Sequence, residues 1–261
     1  MDGQVIAIHS IQVIIQRRPS LKLFKKVKPM KLAVCSDLHL EFGDLELKNE
    51  ENADVLILSG DICIASEFEY FEIDGEDHAR AEQRARIYYN FLKRCCDEFP
   101  HVIMVMGNHE HYHGNYSSSA RKLREFFGYL PNVHILDREV RTFGDVTFIG
   151  GTLWTDMNNH DSLTLYHMRT MMNDFRIIWH GDKGRKFSPE DSVTEHVKMK
   201  QYIDVVTQEQ PDKKFVVCGH HSPSRLSTHP MYADDTVMNG GYSSDLSEFI
   251  LDHPQDRKSV V

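Results

Sequence analysis

Short apolar runs, each closed by polar residues, recur along this chain. Lys31-Leu32-Ala33-Val34-Cys35, Val55-Leu56-Ile57-Leu58, Val102-Ile103-Met104-Val105-Met106 and Phe215-Val216-Val217-Cys218 are continuous rather than alternating. Such runs predict strands buried on both faces. Between the second and third, the pattern predicts a helix from about Gly75 to Asp97. Ile87, Phe91, Leu92 and Cys95 recur at spacings of three and four, Arg and Glu fill the other faces, and Pro100 ends the segment. Strand, helix, strand is the unit of a covered parallel sheet. A second helix is predicted over Ser118 to Tyr129, with Ser117, Ser118 or Ser119 as its cap.

From Val133 the pattern changes. Val133–Leu136, Glu139–Phe143 and Val146–Trp154 read as consecutive strands, the last two joined by a tight turn at Gly144-Asp145. Residues 155–187 are polar and irregular, and are expected to form a lid or a substrate-specific insertion. Ser188-Pro189-Glu190-Asp191 then starts a helix, with Ser188 as cap and acids against the dipole, running to about Glu209. Ser243 or Ser244 is expected to cap a last helix ending near Asp252, and no further strand is expected before Val261.

Composition narrows the class. The 261 residues, 41% hydrophobic and 26% charged, fit one large globular domain. A net charge of −9 argues against broad nucleic-acid binding through the phosphate backbone. Five cysteines without C-x-x-C spacing suggest a reducing compartment, so a cytoplasmic location is expected. Cys35, Cys63 and Cys218 lie close to the polar segments described next and read as small buried hydrophobes. No apolar stretch approaches the ~20 residues of a membrane span, and Val5–Ile15 is interrupted by His9, Ser10 and Gln12. Residues 1–29 read as an extension ahead of a domain over 30–261.

Each of the four core runs ends in side chains that bind metals: Ser36-Asp37-Leu38-His39, Ser59-Gly60-Asp61, Gly107-Asn108-His109-Glu110 and Gly219-His220-His221. In covered parallel sheets, ligands gather at the carboxyl ends of strands. Taken singly, each segment has an ordinary reading as a cap, a turn or a satisfied histidine pair. Together and in this order they resemble the calcineurin-like metallophosphoesterases, whose motifs read D-x-H, G-D, G-N-H-E/D and a later H, then G-H-x-H. Met172-Asn173-Asp174-Phe175-Arg176, Ser188-Pro189-Glu190-Asp191-Ser192 and His220-His221-Ser222-Pro223-Ser224 resemble segments of a bacterial and phage-type branch of these phosphohydrolases.

The resemblance implies a two-sheet α/β sandwich flanked by helices, and a hydrolase of phosphodiesters or phosphomonoesters that uses a metal-bridging hydroxide. It implies Asp37, His39, Asp61, Asn108 and His220 as ligands of two transition-metal ions. Asp61 would bridge them ~3.5–4 Å apart, and mixed nitrogen and oxygen donors favour manganese, iron or zinc. Two residues apart, Asp37 and His39 would point to one side of an extended backbone. His109 is implied as general acid, and His221 and Asn108 as substrate contacts. His220 is preferred to His221 as ligand because it opens a His-x-x-Pro segment. Other histidines, His78, His167 and His196 among them, read as ordinary surface or core residues.

One motif departs from the family. No G-H-x-H follows the last predicted helix, so weak metal binding, low activity and an exposed sheet edge are expected, with His253 the first candidate for a replacement ligand. A small phosphoester is the expected partner. The alternatives are a nuclease or protein phosphatase of the same superfamily, and an inactive truncated relative that serves only for binding.

Overall fold

The computed structural model describes residues 9–12, 29–70, 79–254 and 256–260. Five strands form the first sheet in the order β1 (His9–Gln12), β2 (Lys31–Cys35), β3 (Val55–Ser59), β4 (His101–Val105), β5 (Val133–Leu136). Strands β2 to β5 run parallel, and β1 joins the edge antiparallel to β2. Four residues of the expected N-terminal extension therefore extend this sheet. Helix α1 (Ala79–Glu98) connects β3 to β4, and α2 (Ser119–Phe127) connects β4 to β5. The expected start of α1 near Gly75 lies outside the described residues, as does His78.

The second sheet has the order β11 (Asp256–Val260), β10 (Lys214–Cys218), β7 (Val146–Gly150), β6 (Glu139–Phe143). Strands β6 and β7 make a hairpin, with Phe143 opposite Val146 across the Gly144-Asp145 turn. Gly144 has φ +59°, the left-handed geometry that glycine adopts without strain. Strand β10 lies parallel to β7, and β11 lies parallel to β10.

Alternate residues of the parallel strands face different layers, and this builds the sandwich. Leu32, Val34, Ile57, Ile103 and Val105 pack with Phe143, Phe148, Val216 and Cys218 between the sheets. Ala33, Cys35, Leu56, Leu58 and Met104 pack outward against Tyr88, Phe91 and Leu92 of α1 and Leu123 and Phe127 of α2. On the far side, Ile149, Phe215 and Val217 meet Met199, Ile203 and Val206 of α4 (Pro189–Glu209). Both sheets are thus buried on two faces, which explains the continuous apolar runs. Each fully buried Leu, Ile or Phe stabilises the fold by about 1.5–3 kcal/mol.

Four expectations need correction. The third strand of the middle region stops at Gly150, because Gly151 N donates to Cys218 O and Thr152 O accepts from His220 N, turning the chain around the end of β10. Residues 155–187 are not irregular. They hold α3 (Ser162–Met171) and a short ribbon of β8 (Trp179–His180) and β9 (Arg185–Lys186). Leu165, Met168 and Met172 of this region are buried with Phe175, Ile178 and Phe187, and Asp161 caps α3 by accepting from Thr164 N at 2.8 Å. The last helix, α5, spans Ser247–Asp252 and neither Ser243 nor Ser244 caps it; Ser244 Oγ accepts from Asp156 N instead, at 2.9 Å. Finally, a strand does follow that helix: β11 pairs with β10 through main-chain bonds, an edge position that a short charged segment can fill. Ser188 caps α4 with Pro189 in the first turn as expected, and Asp191 completes a capping box by accepting from Ser188 N.

Candidate metal centre

The carboxyl ends of β2, β3, β4 and β10 open on one rim and deliver the four polar segments to it. Asp37 N donates to Gly60 O at 3.1 Å and His39 N to Asp61 O at 2.9 Å, so the first loop lies along the second. The Asp37–His39 segment is not extended. Asp37, His39 and Asp61 have φ of 55°, 46° and 55°, a left-handed conformation that is costly for residues with a Cβ and clusters at functional sites. The two side chains still converge, with His39 Nε2 3.9 Å from Asp37 Oδ1, because of that turn and not because of strand alternation. Gly60 (φ +87°) and Gly107 allow the loops to touch; a Cβ on Gly60 would lie 2.6 Å from His220 Nδ1.

At the centre, a ring nitrogen and two oxygens converge. His220 Nδ1 donates to Ser59 O at 2.9 Å, which leaves Nε2 without a proton in the neutral ring. That Nε2 sits 3.1 Å from Asn108 Oδ1 and 3.5 Å from Asp61 Oδ1. Asn108 is oriented by its own amide, since Nδ2 donates to Asp174 Oδ1 at 2.9 Å, so Oδ1 must face His220. On the other side of Asp61, Oδ2 is 3.8 Å from His39 Nε2 and 3.9 Å from His109 Nε2. Two groups result, His39 with Asp61 and His109, and Asp37 with Asp61 and His220, each with ligand atoms within 4.8 Å of one another. Asp61 belongs to both.

Residues outside the motif ligands hold this arrangement. Glu110 is fully buried, and its carboxylate accepts from Asp61 N, Ile62 N, Cys63 N and Gly107 N at 3.0, 2.7, 3.1 and 2.6 Å. It ties the second loop to the third. Burial and the Asp61 charge push its pKa up to about 7, against the four N–H donors that favour the carboxylate. Glu41 Oε1 accepts from His39 Nδ1 at 3.1 Å and from His109 Nδ1 at 2.8 Å. Asp174 also accepts from Tyr112 Oη at 2.7 Å, and Tyr112 stacks on His109 with ring centres 4.0 Å apart.

The structure thus brings together Asp37, His39, Asp61, Asn108, His109 and His220. His221 is placed elsewhere. It is 6% exposed, its ring stacks on Trp154 at 5.1 Å, and burial holds it neutral, with its pKa well below the usual histidine value. It lies in neither ligand group. His253 is not a replacement ligand either, since Nδ1 lies 2.6 Å from Phe249 O and Nε2 3.1 Å from Asp204 Oδ1. Of the histidines expected to be ordinary, His196 is buried with Nδ1 3.0 Å from Leu153 O. Glu41, Asp174 and the clamping role of Glu110 were missed from sequence. Asp174 had a signal, because it lies in the Met172–Arg176 segment; Glu41 had only its place two residues after His39.

The charge balance fits a cation. Among the described residues, no lysine or arginine pairs with Asp37, Glu41, Asp61 or Glu110; imidazoles and backbone N–H groups face them instead. Burial works to lower His220, but the charges of Asp61 and Asp37 raise it overall. His109 is raised likewise, by the Glu41 hydrogen bond and the Asp61 charge acting against burial. Three imidazoles have Nδ1 engaged and Nε2 turned to the carboxylates, as in histidines that ligate metals through Nε2. The cysteines are not part of the centre. All five are free, and burial pushes the Cys35 thiol up to about 11 and Cys95 to about 12.

A layered α/β sandwich here gathers acidic, histidine and amide groups at one rim. Residues 30–246 match the calcineurin-like phosphoesterase family, and the chain belongs to it. A protein of Acanthamoeba polyphaga mimivirus, uncharacterized protein L509, is 24% identical over 180 residues, which cover 63% of this chain. The match spans about 61% of that viral protein's length. The phosphopantetheinyl hydrolase PptH of Mycobacterium tuberculosis shares the fold, with a TM-score of 0.55 and 16% identity over 87% of this chain and 79% of that one. Among the described residues, no helix is long and apolar enough to cross a membrane.

Proposed function

We propose that this chain is a dinuclear hydrolase of a small phosphodiester or phosphomonoester, with Asp61 shared between two transition-metal cations. One observation carries the reading. Asn108 Oδ1 and Asp61 Oδ1 converge on His220 Nε2 at 3.1 and 3.5 Å, and in the neutral ring three lone pairs meet there, an arrangement that a cation relieves. Asp61, Asn108 and His220 would hold one ion and His39 with Asp61 the other, with Asp37, grouped with Asp61 and His220 and 3.9 Å from His39 Nε2, between them. The mixed nitrogen and oxygen donors suit manganese, iron or zinc. When bound, the pair supplies Lewis acidity, neutralising phosphate oxygens and making water more acidic.

The chain's own residues do the rest. Asp174 and Tyr112 fix the amide of Asn108 so that its oxygen faces His220 Nε2. Ser59 O sets the tautomer of His220. His109 is assigned as the general acid: in its doubly protonated form it keeps Nδ1–H on Glu41 and passes the Nε2 proton to the leaving oxygen, ending as the neutral ring. The geometry alone would also admit His109 as a ligand. The acid role is preferred because the Gly107-Asn108-His109-Glu110 segment matches the family motif whose histidine the resemblance implies as the acid. The overall charge of −9 supports a small substrate and no extended nucleic acid.

The test is turnover of p-nitrophenyl phosphate and of its bis ester with added manganese, with bound metal measured by elemental analysis on the same sample. Asp61→Asn keeps an oxygen for the His109 N–H but loses the shared charge, and both metal and turnover should disappear. Metal content and rate equal to wild type in that variant would overturn the dinuclear reading.

A further inference from the structure

Glu41 is not a member of either ligand group, yet it touches a member of the centre on each side. The chain turns sharply after His39, with φ 46° at that residue and Phe42 N donating back to His39 O at 2.9 Å. This turn folds Glu41 under the imidazole of His39 and against that of His109, whose rings meet edge to face with centres 4.4 Å apart. The Glu41 side chain is 6% exposed, and a single oxygen, Oε1, accepts from both rings. A neutral imidazole has only one N–H. Once Nδ1–H is committed to Glu41, Nε2 carries a lone pair, and both Nε2 atoms then lie within 3.9 Å of Asp61 Oδ2.

We propose that Glu41 is a positioning residue shared by the metal centre and the general acid, its Oε1 holding the Nδ1–H of both His39 and His109, so that His39 presents an Nε2 lone pair to a metal and His109, when doubly protonated, presents Nε2–H to the leaving oxygen. This rests on the reading above, in which His39 is a ligand and His109 the acid. Without the carboxylate, either ring is free to carry its proton on Nε2 and to rotate. For His39 that blocks the ligand atom; for His109 it removes the contact that keeps Nε2 aimed at the rim. One side chain therefore couples two functions that are usually adjusted separately. A partner of this kind strengthens a ligating histidine, and its removal costs about 10–100-fold in metal affinity.

The volume-matched variants Glu41→Gln and Glu41→Leu separate hydrogen bonding from packing. A glutamine carbonyl still accepts from both rings, whereas leucine accepts from neither. The first readout is the tautomer of each histidine ring in the metal-free protein, from nitrogen-15 NMR, with His39→Ala and His109→Ala used for assignment. Wild type and Glu41→Gln should show Nδ1–H at both rings, and Glu41→Leu should lose it at both. The second readout is manganese affinity together with the ratio of rates on p-nitrophenyl and phenyl phosphate. Glu41→Leu should bind manganese about 10–100-fold more weakly and lose more rate on the phenyl ester, with Glu41→Gln recovering most of both. Persistence of either Nδ1–H tautomer in folded Glu41→Leu would overturn the proposal, as would a loss confined to metal affinity with the leaving-group ratio unchanged. If wild type neither binds manganese nor turns over, the proposed function fails, while the tautomers still decide the role of Glu41.

Discussion

Removing the Glu110 carboxylate should destabilise the protein by about 3–5 kcal/mol, the range seen when one partner of a buried charged network is deleted. Four backbone N–H groups, from Asp61, Ile62, Cys63 and Gly107, bond to its two oxygens at 2.6–3.1 Å in a site closed to solvent. In Glu110→Ala these donors lose their acceptor, and each unpaired buried donor costs about 1–3 kcal/mol. The sum is reduced because the carboxylate's own desolvation is relieved and water can enter the space left behind. Glu110→Gln keeps one oxygen, enough for the Ile62 and Cys63 pair or for the Asp61 and Gly107 pair, and should lose about half as much. The assay is urea unfolding of the metal-free protein, so that metal binding does not contribute to stability, with linear extrapolation to water. Manganese content is measured on the folded variants, because the loops joined by Glu110 carry Asp61 and Asn108. A loss below about 1 kcal/mol in Glu110→Ala, with manganese retained as in wild type, would refute the clamp.

His109→Ala should lower turnover by about 10²–10⁴-fold while leaving metal content nearly intact, with the larger loss on esters of poor leaving groups; loss of metal would make His109 a ligand instead. Gly60→Ala should release metal before it unfolds the protein, since the new Cβ would lie 2.6 Å from His220 Nδ1 and 2.7 Å from Gly107 N in a left-handed backbone; manganese titration beside thermal unfolding checks the order. Val260 of β11 is in register with Cys218 at the rim end of β10, so a Gly-His-x-His segment joined after Val261 should emerge beside His220 and tighten manganese binding. Unchanged affinity in that extended chain would count against the placement of β11.

Much of the fold could be read along the chain, for a local reason. Strands covered on two faces must be apolar throughout, so Lys31–Cys35, Val55–Ser59 and Lys214–Cys218 stand out against polar neighbours, and a cap such as Ser188-Pro189-Glu190-Asp191 announces its helix within one turn. The polar residues gathered at the rim were legible too, because each follows a strand end within a few residues. What sequence hid was set by distant contacts. Helix α3 was passed over because its polar residues outnumber Leu165, Met168 and Met172, whose burial depends on Phe175 and Phe187 arriving from further along. β11 was missed because an edge strand is held by main-chain bonds to β10, which leave little mark on side-chain pattern. The roles of Glu41, Glu110 and Asp174 were decided only by tertiary structure. A carboxylate in a sequence can be a ligand, a clamp or a surface charge, and what separates these is which donors surround it. For Glu110 those are four N–H groups, three of them from a loop 47 to 49 residues away; for Glu41 they are the imidazoles of two different strand ends, which meet only when the sheet has formed.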